Sequence, residues 1–298
     1  MTVDIVIPFV DADDELWRAD HDATGRRFEP ERYRTWGTLR YLLRSYAENM
    51  PWADVLLVVA RESQVPEWYD GRVVFHRDFV PDSYLPTFNV NTIEAYLWNI
   101  EGLSDRVIYA NDDMFALNKL TEDDFFDGRL PRVAFHESDG YDQNMFRYFT
   151  RGTLDYVADY LEVELYESDK LLKMTHDLQP ICRWQFDMFR ELCTVDLDYR
   201  ITQFRDYVNI TQWAYGFIAY FIGRYSDELR THKFVKLTAG GIREACAEIT
   251  NGGIQLLCVA DNERISDAEY NERASMLVAA LSERFPDKCR YERLGDNG

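Results

Sequence analysis

Short runs rich in β-branched and aliphatic residues recur along this chain: "DIVIPFV", "DVLLVVA", "RVVFH", "RVIYA", "RVAFH" and "IQLLCVA". A run that is apolar throughout and closed by polar or turn residues reads as a strand covered on both faces. Such strands alternating with helices make a mostly parallel α/β sheet. The helical periods lie between them. In "PERYRTWGTLRYLLRSYAENM", Leu39, Leu42, Leu43 and Tyr46 recur at i, i+3, i+4 and i+7, Pro30 suits a helix start, and Arg40 and Arg44 share another side. In "NVNTIEAYLWNIEGL", Ile93, Leu97 and Ile100 form a stripe that stops near Gly102, with Asn91 and Glu94 together on a different face. Between 139 and 231 the strand signal fades into aromatic-rich helical sequence, after which "IQLLCVA" and "DAEYNERASMLVAALSERF" return the chain to α/β. The expected architecture is a single catalytic domain. Its Rossmann-like part spans 1–138 and 232–298, and a helical insertion at 139–231 lies over the ligand-binding edge.

Several of the strands end on acids. "RVIYANDDMF" leaves buried-strand sequence directly into Asn111, Asp112 and Asp113; "DIVIPFVDADDELW" exits through Asp11, Asp13 and Asp14; "RVAFHESDGYDQN" exits through His136, Glu137 and Asp139; and "IQLLCVADN" ends on Asp261 and Asn262. Carboxylates after an apolar strand are tolerable where the strand's carboxyl end opens into a crevice, the place where open α/β sheets bind ligands. A rim of this kind suits a divalent cation with hard oxygen ligands. The bland alternative is that the acids cap helices or sit in solvated turns, which for Asp13 and Asp14 weighs at least as heavily. Asp11, nearer its strand, is the stronger candidate. His176 in "KMTHDLQPICRW", just before a helix begun near Pro180, and Arg205 in "ITQFRDYVNI" are ordinary structural residues unless they face that rim. There they would supply a general acid or base and an anion clamp.

Composition narrows the classes. A formal net charge of -20 leaves no basic surplus for a nucleic-acid partner. The odd set Cys182, Cys193, Cys246, Cys258 and Cys289 contains no CxxC pair and fits buried thiols in a reducing compartment. The acidic N-terminus does not read as a signal peptide, and "WAYGFIAYFIG" is far shorter than the ~20 apolar residues of a membrane span, so it reads as a core helix. The expected setting is the cytoplasm. No Gly-x-Gly-x-x-Gly, Walker loop, Gly-x-Ser-x-Gly or His-Glu-x-x-His occurs.

In order along most of its length, the sequence resembles the Stealth proteins, sugar-phosphate transferases of bacterial capsule assembly related to the animal GlcNAc-1-phosphotransferase. The resemblance is carried by "LRYLLRSYAENMPWADVLLVVARESQVPEWY" and "LPTFNVNTIEAYLWNIEGLSDRVIYANDDMF", with weaker matches in "DIVIPFVDADDELW", "THDLQPICRWQFDMF", "FRDYVNITQWAYGFIAYF" and "IQLLCVADN". Phe9 and Ala12-Asp13 depart from the first block, and Asn91 stands where the family has His in "FNxHxIE". What the resemblance implies is transfer of a sugar 1-phosphate from a UDP-sugar to a hydroxyl of an acceptor glycan, with release of UMP and with Mg2+ or Mn2+ as cofactor. By the same resemblance, Asp112 and Asp113 are the metal-binding or catalytic carboxylates, His176 the base or acid and Arg205 the phosphate clamp. Asp11, Arg40, Asn89, Glu94 and Asn111 are substrate contacts, and Asp261 is a further metal candidate. An association at the inner face of the cytoplasmic membrane, through a membrane-bound polysaccharide assembly complex, belongs to the same implication. The competing readings are a nucleotide-sugar glycosyltransferase that releases UDP, and a carbohydrate-binding relative without catalysis.

Overall fold

A computed structural model describes residues 2–139, 145–165, 170–192, 197–261 and 265–293. The β-branched runs pair as a central sheet. Strands β1 (Val3–Pro8), β2 (Ala53–Val59), β3 (Arg72–Phe75) and β4 (Arg106–Tyr109) lie parallel in the order β4-β1-β2-β3. Strand β10 (Gln179–Cys182) closes the β4 edge antiparallel. The chain runs outward from β1 through β2 to β3, then crosses back to β4 on the other side of β1. The β1/β4 boundary is therefore a topological switch point, where connections diverge and leave a crevice at the strand carboxyl ends.

Both faces of this sheet are covered, as uninterrupted apolar strands require. On one face Val3, Ile5 and Ile7 of β1 and Val55, Leu57 and Val59 of β2 pack with Leu42, Leu43 and Tyr46 of α2 (Leu39–Asn49) and with Leu277 and Leu281 of α9 (Asp267–Arg284). On the other face Val6, Leu56, Val58, Val107 and Tyr109 meet α4 (Met145–Tyr160), α5 (Arg183–Leu192) and α7 (Trp213–Phe221). Each fully buried aliphatic side chain here contributes about 1.5–3 kcal/mol through area removed from water.

A second, three-stranded sheet is built from β5 (Met114–Ala116), β13 (Leu256–Ala260) and β12 (His232–Lys236), with β12 and β13 parallel and β5 antiparallel to β13. Helices α8 (Gly241–Asn251) and α9 pack together beside it. Since β5 begins one residue after Asp113, the Asn111–Asp113 turn is pinned between the two sheets. Smaller pairings are β6 (Phe126–Asp127) with β7 (Leu130–Val133), β11 (Ser226–Asp227) with β7, and β8 (Phe135–Asp139) with β9 (Lys170–Met174).

Three local expectations change. Pro180 does not open a helix: it lies in β10, and α5 starts at Arg183. Pro30 opens only a 3-10 turn, Pro30–Arg32, well before α2. The segment 139–231 carries α4, α5, α6 (Leu197–Arg200) and α7, but it also supplies β10, so it is woven into the main sheet rather than set beside it. Asn262 and Cys193 lie outside the described residues, as does the side chain of Asp139.

Candidate active site

Two polypeptide ends meet at the switch point. Asp11 follows β1 and Asn111–Asp113 follow β4, and both border a cavity of about 1940 Å³. The same cavity is lined by Arg40, Asn89, Glu94, His176, Arg205 and Asp261, whereas Asp13, Asp14 and Glu137 do not border it. Their partners differ, and the differences sort them.

Asp112 and Asp113 are held in low-dielectric surroundings. Burial raises Asp112 to about 6. Burial, then the charge of Asp112, raises Asp113 to about 7, against a hydrogen bond with the Cys258 thiol that works the other way. The Asp113 Oδ1 atom is buried without any hydrogen-bond partner. Two adjacent carboxylates pushed upward, one with an orphaned oxygen, form a donor set that fits a hard divalent cation.

Glu94 sits in α3 (Val90–Ala95) and is raised to about 7 by burial. Tyr109 Oη donates to its Oε1 at 2.6 Å and the Gln212 backbone N–H to its Oε2 at 3.1 Å, and both bonds favour the ionised form. Arg205 is exposed toward the cavity, yet walled by protein elsewhere. Desolvation and nearby Arg32 lower its pKa, while Glu94, Tyr33 and Tyr109 oppose the shift. Among the described residues it makes no hydrogen bond or ion pair. His176 is lowered to about 4 by burial and packs edge-on against Phe234, with ring centroids 5.6 Å apart. It is neutral at physiological pH, the state a proton acceptor needs.

Other expected residues are tied down. Asn89 is 1% exposed; its Oδ1 accepts from Asn91 N, while its Nδ2 donates to Thr202 O, Phe204 O and Asn209 Oδ1 at 3.0–3.3 Å. It clips α3 to the 202–209 segment that carries Arg205, with no group left for a substrate. Asp261 receives two hydrogen bonds from Arg34, at 2.5 and 2.8 Å, and one from Trp36 Nε1 at 3.1 Å, which makes it a poor cation ligand. Arg40 lies 3.7 Å from Glu292 and stacks over Trp68. Asp14 caps α1 (Glu15–Ala23) through Leu16 N and Trp17 N, the bland role weighed for it. Asp11 keeps its place at the rim, with Oδ1 accepting from Asp13 N.

Residues 32–132 match the family model described as Stealth protein CR2, conserved region 2. Over that third of its length the chain is similar to the Stealth proteins. Similar curated proteins are an exopolysaccharide phosphotransferase of Lactiplantibacillus plantarum, 24% identical over 98% of this chain and 96% of its own. A capsular polysaccharide phosphotransferase of Streptococcus pneumoniae is 23% identical over 98% of this chain and 99% of its own. Among solved structures, mouse xyloside xylosyltransferase 1 in its apo form aligns with a TM-score of 0.42 at 10% identity, over 89% of this chain and all 100% of that one, a likeness too distant to carry an inference.

The matched Stealth region contains Arg40, Asn89, Glu94 and the Asn111–Asp113 turn; His176, Arg205 and Asp261 lie beyond it. Two positions that depart from the Stealth pattern, Phe9 and Asn91, are buried at the wall of the cavity. Asn91 is buried and donates to Ile210 O at 3.3 Å, and Phe9 is a core side chain. The sequence reading missed Tyr109, Gln212 and Cys258 as partners of the site carboxylates. Tyr109 lay in plain view as the last residue of an apolar strand, one end polar and one end greasy. The other two come from segments far along the chain and gave no local signal.

Proposed function

We propose that this chain is a sugar-1-phosphate transferase of capsule or exopolysaccharide synthesis. It moves a hexose or hexosamine 1-phosphate from a UDP-sugar to a hydroxyl of an acceptor glycan and releases UMP. The observation that carries the reading is Arg205: in a chain of net charge -20 its guanidinium is left without a hydrogen bond or ion pair among the described residues, in the cavity it shares with Asp112, Asp113, Glu94 and His176. A guanidinium that opens onto the cavity without a bonded partner suits the non-bridging oxygens of a diphosphate, which it can grip bidentately. The phosphotransferase relatives, matched over nearly their whole length, support the same class of reaction.

In this mechanism the acceptor hydroxyl gives its proton to the neutral imidazole of His176, and its oxygen attacks the phosphorus that bears the donor sugar. The bond from that phosphorus to the bridging oxygen breaks and UMP departs. Arg205 holds the charge that accumulates on the phosphoryl oxygens. Glu94, kept in register by Tyr109 and the Gln212 backbone, orients Arg205 electrostatically. Asp112 and Asp113 are the residues that would hold Mg2+ or Mn2+. When bound, such a cation would neutralise diphosphate charge and polarise the phosphoryl group. The setting proposed is the cytoplasm, to which the free thiols of Cys182, Cys246, Cys258 and Cys289 are suited. No helix among the described residues is long and apolar enough to cross a membrane.

Incubation of the chain with UDP-sugars, glycan acceptors and Mg2+ tests the assignment by the nucleotide released. UMP is the expected product. UDP would overturn it in favour of glycosyl transfer.

A further inference from the structure

Behind the stretch of wall that carries His176 lies a second group of ligand atoms. A carboxylate oxygen of Asp177, one of Glu228 and a ring nitrogen of His232 all lie within 4.8 Å of one another. They are brought together from the turn after β9, the approach to β12 and the first residue of β12. Asp177 is 4% exposed and the Glu228 side chain 5% exposed. Asp177 Oδ2 and both carboxylate oxygens of Glu228 are buried with no hydrogen-bond partner. Such groups are rare in folded proteins and ask what satisfies them.

Arg230 answers only half. Its Nη2 is 2.8 Å from Glu228 Oε1 and 3.5 Å from Asp177 Oδ2, but neither approach has hydrogen-bond geometry. Its Nη1 is directed to Asp124 O at 2.9 Å and Arg132 O at 3.3 Å. One guanidinium against two buried carboxylates leaves a negative charge to be balanced.

The third member decides the chemistry. His232 has a 37% exposed side chain and borders the large cavity, so it provides both a nitrogen ligand and a route in from solvent. Mg2+ and Ca2+ prefer all-oxygen sets, whereas two carboxylates with one imidazole suit Mn2+ or Zn2+. We propose that Asp177, Glu228 and His232 form a second divalent-cation site, distinct from Asp112 and Asp113, that takes Mn2+ or Zn2+ in preference to Mg2+. The two groups are neighbours: the Cys258 thiol, bonded to Asp113, also feels the charge of Asp177. A cation at this second site would bind whatever reaction the cavity hosts, so metal can be counted without turnover.

The test uses the full chain carrying Asp112→Asn and Asp113→Asn, stripped with chelator and dialysed against Zn2+ or Mn2+. Elemental analysis should find one equivalent retained, not displaced by excess Mg2+. Adding His232→Ala, a half-exposed position that leaves folding intact, should weaken the affinity at least tenfold and abolish the visible bands of Co2+ bound in its place. Adding Glu228→Gln should weaken it at least as much. A folded chain that retains no metal in the Asp112→Asn, Asp113→Asn background overturns the site, with a shared proton then balancing Asp177 and Glu228. So does affinity indifferent to His232→Ala.

Discussion

At the scale of single residues, the cavity separates groups that act from groups that hold. Arg205 has no bonded partner among the described residues, while Asn89 is wholly engaged in binding the 202–209 segment. Arg205→Ala should therefore cost about 2–4 kcal/mol of transition-state stabilisation, seen in kcat/KM, with the melting temperature nearly unchanged. Asn89→Ala should do the reverse in part: it leaves buried acceptors unsatisfied, lowers stability by roughly 1–3 kcal/mol, and reduces turnover only through misplacement of Arg205. Parallel calorimetry and kinetics on the two variants would show the contrast, and equal loss of stability would refute it. Asp113 gives a pH-dependent case. Its folded pKa, about 7, lies above its unfolded value, so its contribution to stability is complete below the unfolded pKa and is lost as pH rises through about 7. Asp113→Asn should thus stabilise the chelator-treated protein by ~2 kcal/mol or more at pH 8 and by nearly nothing at pH 4. Activity should vanish at both.

Among the elements, the strands that bring the acids were readable and the strands that arrange them were not. β1, β2, β4 and β13 announce themselves because burial on both faces demands continuous apolar sequence, and β3, a half-exposed edge strand, is marked only by its β-branched Val73 and Val74. β12 escapes notice because His232, Lys233 and Lys236 put polar groups along a strand in which only Val235 is fully buried. β10 is hidden by Pro180, tolerable there because the strand lies at the sheet edge. The step from β12 into α8 is tighter than its sequence suggests. A Cβ at Gly241 would stand 1.8 Å from the Lys236 carbonyl oxygen, and backbone cannot yield as a side chain can. Gly241→Ala should destabilise by about 2 kcal/mol or more through that overlap, measurable by denaturant unfolding. Gly240→Ala, next to it, meets no atom nearer than 4.0 Å and should cost little.

For the molecule as a whole, a net charge of -20 means that arginines are mostly consumed by ion pairs. Arg34 goes to Asp261, Arg44 to Glu292 and Arg32 to Glu29, each from the wall of the same cavity. Asp112 and Asp113 are both raised by burial, so ionising them without a counter-charge costs stability. Saturating Mg2+ should accordingly raise the melting temperature at pH 8, by about 2–4 °C for each kcal/mol of binding free energy. The gain should shrink at pH 5, where both carboxylates are largely protonated. A shift of equal size at both pH values would place the cation elsewhere.

The apolar runs, the acids at their ends and the family pattern sufficed to indicate a parallel α/β sheet with a rim of carboxylates, because periodicity and composition are local properties. Whether a given acid is free was settled only in three dimensions. Asp261 is claimed by an arginine 227 residues away, and Asp177 and Glu228 become a cluster only when distant segments fold together. The charge state of a carboxylate depends on how much protein surrounds it and which partners reach it, and packing alone decides both.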